Sequence, residues 1–206
     1  MLTEEKIHFQ SGDLVLEGLL ARADGSKGAV VTHPHPLYGG DMWNNVVATI
    51  VRAYQDAGYT TLRFNFRGVG ASEGGYDDGR EEQKDVKAAL DHLVSLGCHD
   101  VDLAGYSFGA WVNAMGRDQY PEIRRLNMVS PPVAFLDFSA LGFTPKIGIV
   151  VSGSLDDIAP PVMIREMIEA WNPEAEFRII EGADHFYGGY EGDLLGVIKD
   201  FLGEEA

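Results

Sequence analysis

Ser107 lies in the segment Gly105-Tyr106-Ser107-Phe108-Gly109, which has the pattern GxSxG and joins a short apolar run to a helical pattern. A serine at such a turn projects its hydroxyl above the sheet, and the flanking glycines let the two arms of the turn approach. The backbone N–H of Phe108 and the helix N-terminus then face the place where an oxyanion forms. A bare GxSxG is a weak signal in a chain with 25 glycines, and the alternative is that Ser107 caps an ordinary helix. The preceding strand and following helix favour a nucleophile.

A serine nucleophile needs a neighbouring base, and the base needs a group that holds its tautomer and stabilises its cation. Among the six histidines, His185 follows the apolar run FRII and precedes the last helical pattern, which places it on a loop between the two. His8, His92 and His99 fall on a strand or on a helix and its exit, which is typical of exposed or packing residues. We therefore predict His185 as the general base.

Two adjacent aspartates, Asp156 and Asp157, follow the apolar run at 147–152 and are the candidates for the orienting carboxylate. Asp156 is preferred because it stands three residues beyond Gly153 and four before Pro160, but Asp157 stays open. Asp184 is a weaker candidate, since the side chains of neighbouring residues on an extended loop usually diverge. The order Ser, Asp, His, with each residue after a different strand, is the order that α/β-hydrolases use.

Alternating strands and helices are predicted to position these residues. The alternating pattern LVLEGLLA at 14–21 favours an antiparallel strand paired with residues 7–9. Further strands are predicted from short apolar runs at 28–32, 60–64, 101–104, 126–130, 147–152 and 177–180. Helices are predicted at 44–58, 80–97, 108–118, 161–171 and 193–202, two of them ending at Gly58 and Gly97. The expected fold is α/β, a mostly parallel twisted sheet with helices on both faces, and working residues at the carboxyl ends of its strands.

Composition limits the classes of protein. With 206 residues and 45% hydrophobic content, we expect a single domain over residues 1–206. The formal net charge of −16 makes nucleic acid and membrane surfaces poor partners. The N-terminus lacks signal-peptide organisation, there is no run of about 18 apolar residues, and the lone Cys98 allows no internal disulfide. A cytoplasmic location is therefore expected.

Five motifs together resemble the α/β-hydrolase superfamily over nearly the whole chain, and more narrowly small bacterial hydrolases that lack a cap domain. They are HPHPLYGG at 33–40, RFNFRGVGASEG at 63–74, GYSFG at 105–109, GxxDxxxP at 153–160 and GADH at 182–185. The resemblance implies a sheet of about eight strands whose second strand is antiparallel, and acyl-transfer chemistry. Dienelactone hydrolases are similar in size but usually carry a cysteine nucleophile, from which Ser107 departs. The short segment between the strands ending near 130 and starting near 147 leaves no room for a cap, so an open site is expected.

The resemblance also implies a second oxyanion donor after the strand at 28–32. By the register of the motif, the N–H of His35 is the better match and that of Leu37 the fallback. Alternatively, His33 and His35 are an HxH metal pair, but the common HxHxDH spacing fails at Leu37 and Tyr38. We therefore predict no metal. A nucleotide-binding interpretation of residues 68–75 also fails, since no GxGxxG or Walker lysine is present, and a turn held by an ion pair of Arg67 is expected instead.

The sequence thus predicts a serine hydrolase that cleaves an ester or thioester of a small to medium substrate without a cofactor. Amide hydrolysis is the nearest alternative, and a catalytically silent fold used for binding is another class. Tyr38, Trp43 and Tyr187 flank the predicted site and are candidates for the lining of its pocket, although such residues more commonly pack in the core.

Overall fold

The structure is a computed structural model that describes residues 2–203. Eight strands form one sheet: β1 (Glu5–Ser11), β2 (Leu14–Ala21), β3 (Lys27–Thr32), β4 (Thr60–Phe64), β5 (Asp100–Tyr106), β6 (Ile123–Val129), β7 (Ile147–Gly153) and β8 (Glu176–Ile180). Five helices connect or follow them: α1 (Asn45–Asp56), α2 (Glu82–Ser95), α3 (Phe108–Gly116), α4 (Pro161–Trp171) and α5 (Glu191–Gly203). Short 3-10 turns occur at Pro36–Tyr38 and Arg117–Gln119.

The strand order is β1-β2-β4-β3-β5-β6-β7-β8. Strand β2 runs antiparallel to both of its neighbours, while every other neighbouring pair from β4 to β8 is parallel. This confirms the predicted mostly parallel sheet with an antiparallel second strand. The central strands carry continuous apolar runs because helices cover them on both faces.

Two hydrophobic cores lie on opposite faces of the sheet. One holds apolar side chains of α2, α3 and α4, such as Leu90, Val112 and Ile164. The other holds those of α1 and α5, such as Ile50 and Ile198, and these two helices pack against each other. The helical periodicity of each segment therefore directs one apolar stripe onto the sheet.

Two long loops lie at the carboxyl edge of the parallel strands, residues 65–81 between β4 and α2 and residues 130–146 between β6 and β7. Arg67, in the connection from β4 to α2, donates hydrogen bonds of 2.7 and 3.0 Å to the fully buried carboxylate of Asp85 and one of 3.0 Å to Glu81. The predicted ion pair of Arg67 is thus confirmed, and it holds the glycine-rich turn. Residues 130–146, between β6 and β7, form a loop without a helix or strand, so the fold has no cap domain.

No helix in the described range 2–203 is both long and apolar enough to cross a membrane.

Candidate active site

Ser107 occupies the sharp turn between β5 and α3, with φ 54° and ψ −120°. This left-handed region is strained for a non-glycine residue, and such strain is found where surrounding packing fixes the backbone. A Cβ atom on Gly105 would lie 2.6 Å from Thr32 Oγ1, and one on Gly109 would lie 2.5 Å from the same oxygen. The glycines therefore allow the end of β3 to pack against both arms of the turn, as the sequence pattern predicts.

Ser107, His185 and Asp156 form one hydrogen-bonded chain. His185 Nε2 lies 3.0 Å from Ser107 Oγ, and His185 Nδ1 lies 2.9 Å and 3.0 Å from the two carboxylate oxygens of Asp156. An ionised carboxylate only accepts hydrogen bonds, so Nδ1 carries the proton and Nε2 accepts from the serine hydroxyl. Tyr106 Oη donates to the backbone carbonyl of His185 at 2.8 Å, which fixes the loop that presents the imidazole.

The carboxylate of Asp156 is held in place by several donors besides His185. The N–H groups of Ile158 and Ala159 donate to Oδ1 at 2.9 and 2.7 Å, and the Ser130 hydroxyl donates to Oδ2 at 2.7 Å. Burial alone raises the pKa of this carboxyl, but the hydrogen bonds from His185, Ser130 and Ala159 outweigh it, so the pKa lies below its ordinary value. Asp156 is therefore kept ionised.

The other two candidate aspartates lie elsewhere. Asp157 is exposed to solvent, and the His185 ring contacts Asp156 instead. Asp184 accepts hydrogen bonds from the backbone N–H groups of Phe186 and Tyr187, at 2.9 and 3.2 Å, and so shapes the loop after β8. The structure thus places Asp156, among the three, beside the histidine.

Two hydroxyls behind Asp156, those of Ser130 and Tyr187, form a hydrogen-bonded pair that was not predicted from the sequence. Tyr187 Oη lies 2.8 Å from Ser130 Oγ. Because Ser130 donates its proton to Asp156, it accepts from the tyrosine. Both residues are fully buried and both have left-handed backbones, with φ 46° for Ser130 and 56° for Tyr187. The available sequence signal was the position of Ser130 directly after a buried strand, where functional side chains gather.

Two backbone N–H groups near Ser107 are free of acceptors within the described chain. Phe108 is the first residue of α3, where an N–H has no helical acceptor, and neither its N–H nor that of His35 donates a hydrogen bond within residues 2–203. The N–H of Leu37, the fallback donor, is directed at His35 Nδ1 at 3.2 Å. The His35 side chain thereby caps the 3-10 turn at Pro36–Tyr38, and the Leu37 N–H is occupied.

The two histidines of the HPHP segment have their ring nitrogens occupied by other partners. His33 Nε2 accepts from the Phe66 N–H at 3.1 Å, and its Nδ1 lies 2.7 Å from the carbonyl of Pro34. Burial lowers the pKa of His33 to about 4, so the ring is neutral near pH 7. His35 accepts from Leu37 and lies 3.1 Å from Tyr76 Oη. Neither ring presents a free nitrogen to a metal ion.

An open cavity of about 680 Å³ lies over Ser107 and His185. It is walled mainly by aromatic and apolar residues, namely Pro34, His35, Tyr38, Tyr106, Phe108, Pro132, Phe135, Leu136, Ile158 and Phe186. The pocket role predicted for Tyr38 agrees with this lining. Those predicted for Trp43 and Tyr187 are wrong, because the Trp43 ring lies against Arg63 and Tyr187 is buried behind Asp156 and Ser130.

With this geometry in view, the chain can be compared with known proteins. The model of the Alpha/beta hydrolase family matches residues 29–188. The protein therefore belongs to the α/β-hydrolase family.

Its relatives cover almost the whole chain. An uncharacterised protein of Rickettsia prowazekii (strain Madrid E) is 35% identical over 96% of this chain and 88% of its own length. An alpha-beta serine hydrolase homologue from Coxiella burnetii has a TM-score of 0.89 at 34% identity, over 97% of this chain and 98% of its own. A serine hydrolase without a lid from Xanthomonas campestris has a TM-score of 0.89 at 27% identity, over 98% and 94%. The similarity to lidless hydrolases agrees with the short β6–β7 loop.

Proposed function

We propose that the protein is a serine hydrolase that cleaves a carboxylic ester or thioester of a small to medium substrate through an acyl-enzyme on Ser107. The observation that carries the proposal is the continuous hydrogen-bonded chain Ser107–His185–Asp156 at the floor of an open cavity. Acyl transfer requires a nucleophile that is hydrogen-bonded to a base and a carboxylate that orients the base, and this chain supplies both contacts.

In the acylation step, His185 Nε2 removes the proton of Ser107 Oγ as that oxygen attacks the carbonyl carbon of the substrate. The resulting oxyanion accepts hydrogen bonds from the N–H groups of Phe108 and His35, which have no competing acceptor within the described chain. Asp156 stabilises the imidazolium that forms. His185 then gives its proton to the leaving oxygen or sulfur, the bond to the carbonyl carbon breaks, and the acyl group remains on Ser107.

Deacylation repeats these steps with water as the nucleophile. His185 takes a proton from water, the hydroxide attacks the acyl carbon, and the proton returns to Ser107 Oγ as the acid leaves. The low pKa of Asp156 supports this cycle, because an ionised carboxylate is available to the imidazolium throughout.

Two alternatives remain, of which one is a related hydrolase and the other belongs to a different class. An amidase or peptidase would use the same residues but a poorer leaving group, and a non-catalytic binding protein would need none of them. A serine-reactive phosphonate probe distinguishes the non-catalytic binding protein from a serine hydrolase. We expect covalent labelling of Ser107 in the native protein and none after Ser107→Ala. The cytoplasmic location, the small-molecule substrate and the absence of nucleic-acid or membrane partners stay predictions.

The test of the proposal is turnover of p-nitrophenyl esters, from acetate to octanoate, by the native protein and by Ser107→Ala, His185→Ala and Asp156→Asn. We expect kcat to fall by roughly a thousandfold to a millionfold in the first two variants, because such residues act as a unit. Asp157→Asn is the matched control and should retain activity, since Asp157 is exposed. Equal activity of the native protein and Ser107→Ala would refute the mechanism.

A further inference from the structure

We infer that the site selects substrates by charge: it accepts esters or thioesters whose leaving group is uncharged or cationic and discriminates against those that carry phosphate or carboxylate groups. The inference rests on the proposed hydrolase function and specifies its substrate class. Two features of the structure support it, the composition of the cavity wall and the charges of the loops around its mouth.

The wall of the cavity offers no charged side chain to an anionic leaving group, and the free N–H groups of Phe108 and His35 serve the oxyanion. Its residues include no Lys, Arg, Asp or Glu, and its two histidines are already engaged, His35 with Leu37 and Tyr76 and His185 with Ser107 and Asp156. A buried charge without a partner is strongly unfavourable. The group that enters the cavity is therefore uncharged, or is a cation that stacks on an aromatic face.

The mouth of the cavity is formed by exposed aromatic rings. Tyr38 is 88% exposed, Phe135 72% and Phe186 64%, although all three line the cavity. Isolated exposed apolar residues are ordinary, but three rings around one opening form a surface for an apolar or cationic group.

Four loops at the carboxyl edge of the sheet contribute to the cavity wall, and acidic residues dominate their charges. Residues 33–44, 154–160 and 181–190 contain no Lys or Arg, and residues 130–146 contain one, Lys146, which directly precedes β7 and donates to the Pro121 carbonyl at 3.1 Å. The same loops contain the carboxylates Asp41, Asp137, Asp156, Asp157, Glu181 and Asp184. The approach to Ser107 is therefore electronegative, beyond what the net charge of −16 spread over the whole surface would give.

The two arginines of the loop between β4 and α2 do not make the approach to Ser107 electropositive. Arg67 is paired with Asp85 and Glu81. Arg80 is exposed, but Asp77 and Asp78 precede it closely in the chain and Glu81 follows it. Coenzyme A thioesters and other phosphorylated substrates are usually held by Lys, Arg or helix N-termini, which make charge-assisted hydrogen bonds to phosphate. The loops that line this cavity supply no such side chain to a leaving group, because Lys146 directly precedes β7 and donates to the Pro121 carbonyl, and the N-terminus of α3 faces the oxyanion.

The test compares three thioesters with the same acyl group and different leaving-group charges. They are S-butyryl-N-acetylcysteamine, which is neutral, butyryl-coenzyme A, which is anionic, and S-butyrylthiocholine, which is cationic. At about 10 mM ionic strength we expect kcat/KM for the coenzyme A thioester to be lower than for the neutral one by about tenfold or more, and the cationic one to be at least as good as the neutral one. Added salt should narrow the gap, which a purely steric effect of size would not do.

A charge-reversal variant adds a second readout. Asp157→Lys should raise kcat/KM for butyryl-coenzyme A at low salt by severalfold and leave turnover of the neutral thioester nearly unchanged, because Asp157 is exposed and directly precedes Ile158, which lines the cavity. Asp24→Lys makes the same change of charge in the β2–β3 loop, at the opposite edge of the sheet, and should have no such effect.

The outcomes separate the two proposals. Equal or better turnover of the anionic thioester, or a preference for the neutral one that salt does not alter, would overturn the charge selection while leaving the hydrolase function intact. Absence of turnover of all three thioesters and of p-nitrophenyl esters would instead contradict the proposed function.

Discussion

At the scale of single residues, Ser130 and Tyr187 connect the buried interior to Asp156. The tyrosine hydroxyl donates to Ser130, and Ser130 donates to the carboxylate. Burial raises the pKa of Tyr187 well above its ordinary value, so this chain supplies hydrogen bonds but no negative charge. Ser130 is thus a positioning residue for the candidate base, acting through Asp156.

We predict that Ser130→Ala lowers kcat/KM by about tenfold, a loss of about 1.4 kcal/mol, which is close to the lower end of the roughly 1.5–3 kcal/mol typical of one hydrogen bond to a charged group. Without this donor Asp156 is more basic and holds the protonated imidazole more tightly. The acidic limb of the kcat/KM profile should therefore move to higher pH. Tyr187→Phe, which leaves the Ser130–Asp156 bond in place, should have a smaller effect in the same direction.

The double variant Ser130→Ala/Tyr187→Phe distinguishes a coupled chain from two independent packing positions. Coupled residues should give a combined loss well below the sum of the single losses in free energy. Additive losses with an unchanged pH profile would mean that the two hydroxyls serve stability alone.

Sequence reasoning found Ser107, His185 and Asp156 because each follows a buried strand and parallel strands end at a common edge. It did not find Ser130 and Tyr187, because their relation depends on how two distant loops fold back on each other. It also left open which of Asp156 and Asp157 is the orienting carboxylate. A loop turns only one of two consecutive side chains inward, and the sequence pattern does not show which one.

At the scale of elements, the His33 side chain connects the end of β3 to the end of β4 by a hydrogen bond. Its ring accepts a hydrogen bond from the Phe66 N–H, just beyond β4, and lies against the carbonyl of Pro34. The connection that carries His35 and its free N–H is anchored by this contact. The ring performs this role only when it is neutral, because a protonated imidazole has no acceptor nitrogen.

We predict a pH-dependent contribution of His33 to stability. The pKa is about 6.5 in the unfolded chain and about 4 in the folded protein. The stabilisation is complete above about pH 6.5 and declines as the pH falls toward 4, because only the unfolded chain then binds the proton. The total decline is about 3 kcal/mol.

The measurement is the free energy of unfolding in urea across this pH range for the native protein and His33→Gln, which does not titrate. The difference between the two should be constant above about pH 6.5 and shrink below it. Imidazole ¹⁵N shifts give a check without mutation, since His33 should remain neutral down to about pH 4. The prediction would be contradicted if the free energies of unfolding of the native protein and His33→Gln differed by the same amount at every pH. It would also be contradicted if the His33 ring titrated near pH 6.5.

The elements themselves were predicted well, because short apolar runs and helical stripes are local properties of the chain. All eight strands overlap predicted segments, the hairpin of β1 and β2 included, although β1 and β6 begin two and three residues before their predicted ranges. The ends of helices were less accurate: α2 was expected from residue 80 and begins at Glu82, whose carboxylate accepts from the Asp77 N–H. This turn is closed by a side-chain carboxylate only five residues along the chain, and the helical pattern alone does not report such a contact.

At the scale of the whole molecule, the net charge of −16 acts on stability as well as on substrate encounter. Composition gives this number from the sequence, whereas the placement of carboxylates around the cavity follows only from the fold, which brings four separate loops to one edge of the sheet. Like charges on a compact surface repel each other, and the unfolded chain relieves that repulsion by expanding.

We predict that chloride salts stabilise the protein at low ionic strength, because the Debye length shrinks from about 30 Å at 0.01 M to about 10 Å at 0.1 M. Each 1 kcal/mol gained should raise Tm by roughly 2–4 °C in a chain of this size. Screening saturates, so most of the rise should occur below about 0.3 M, in NaCl and KCl alike. Asp24→Lys should raise Tm at low salt and reduce the salt dependence. A Tm that stays flat or falls in this range would show that solvent-accessible ion pairs such as Lys84–Glu81 and Lys199–Asp56, which salt weakens, outweigh the net repulsion.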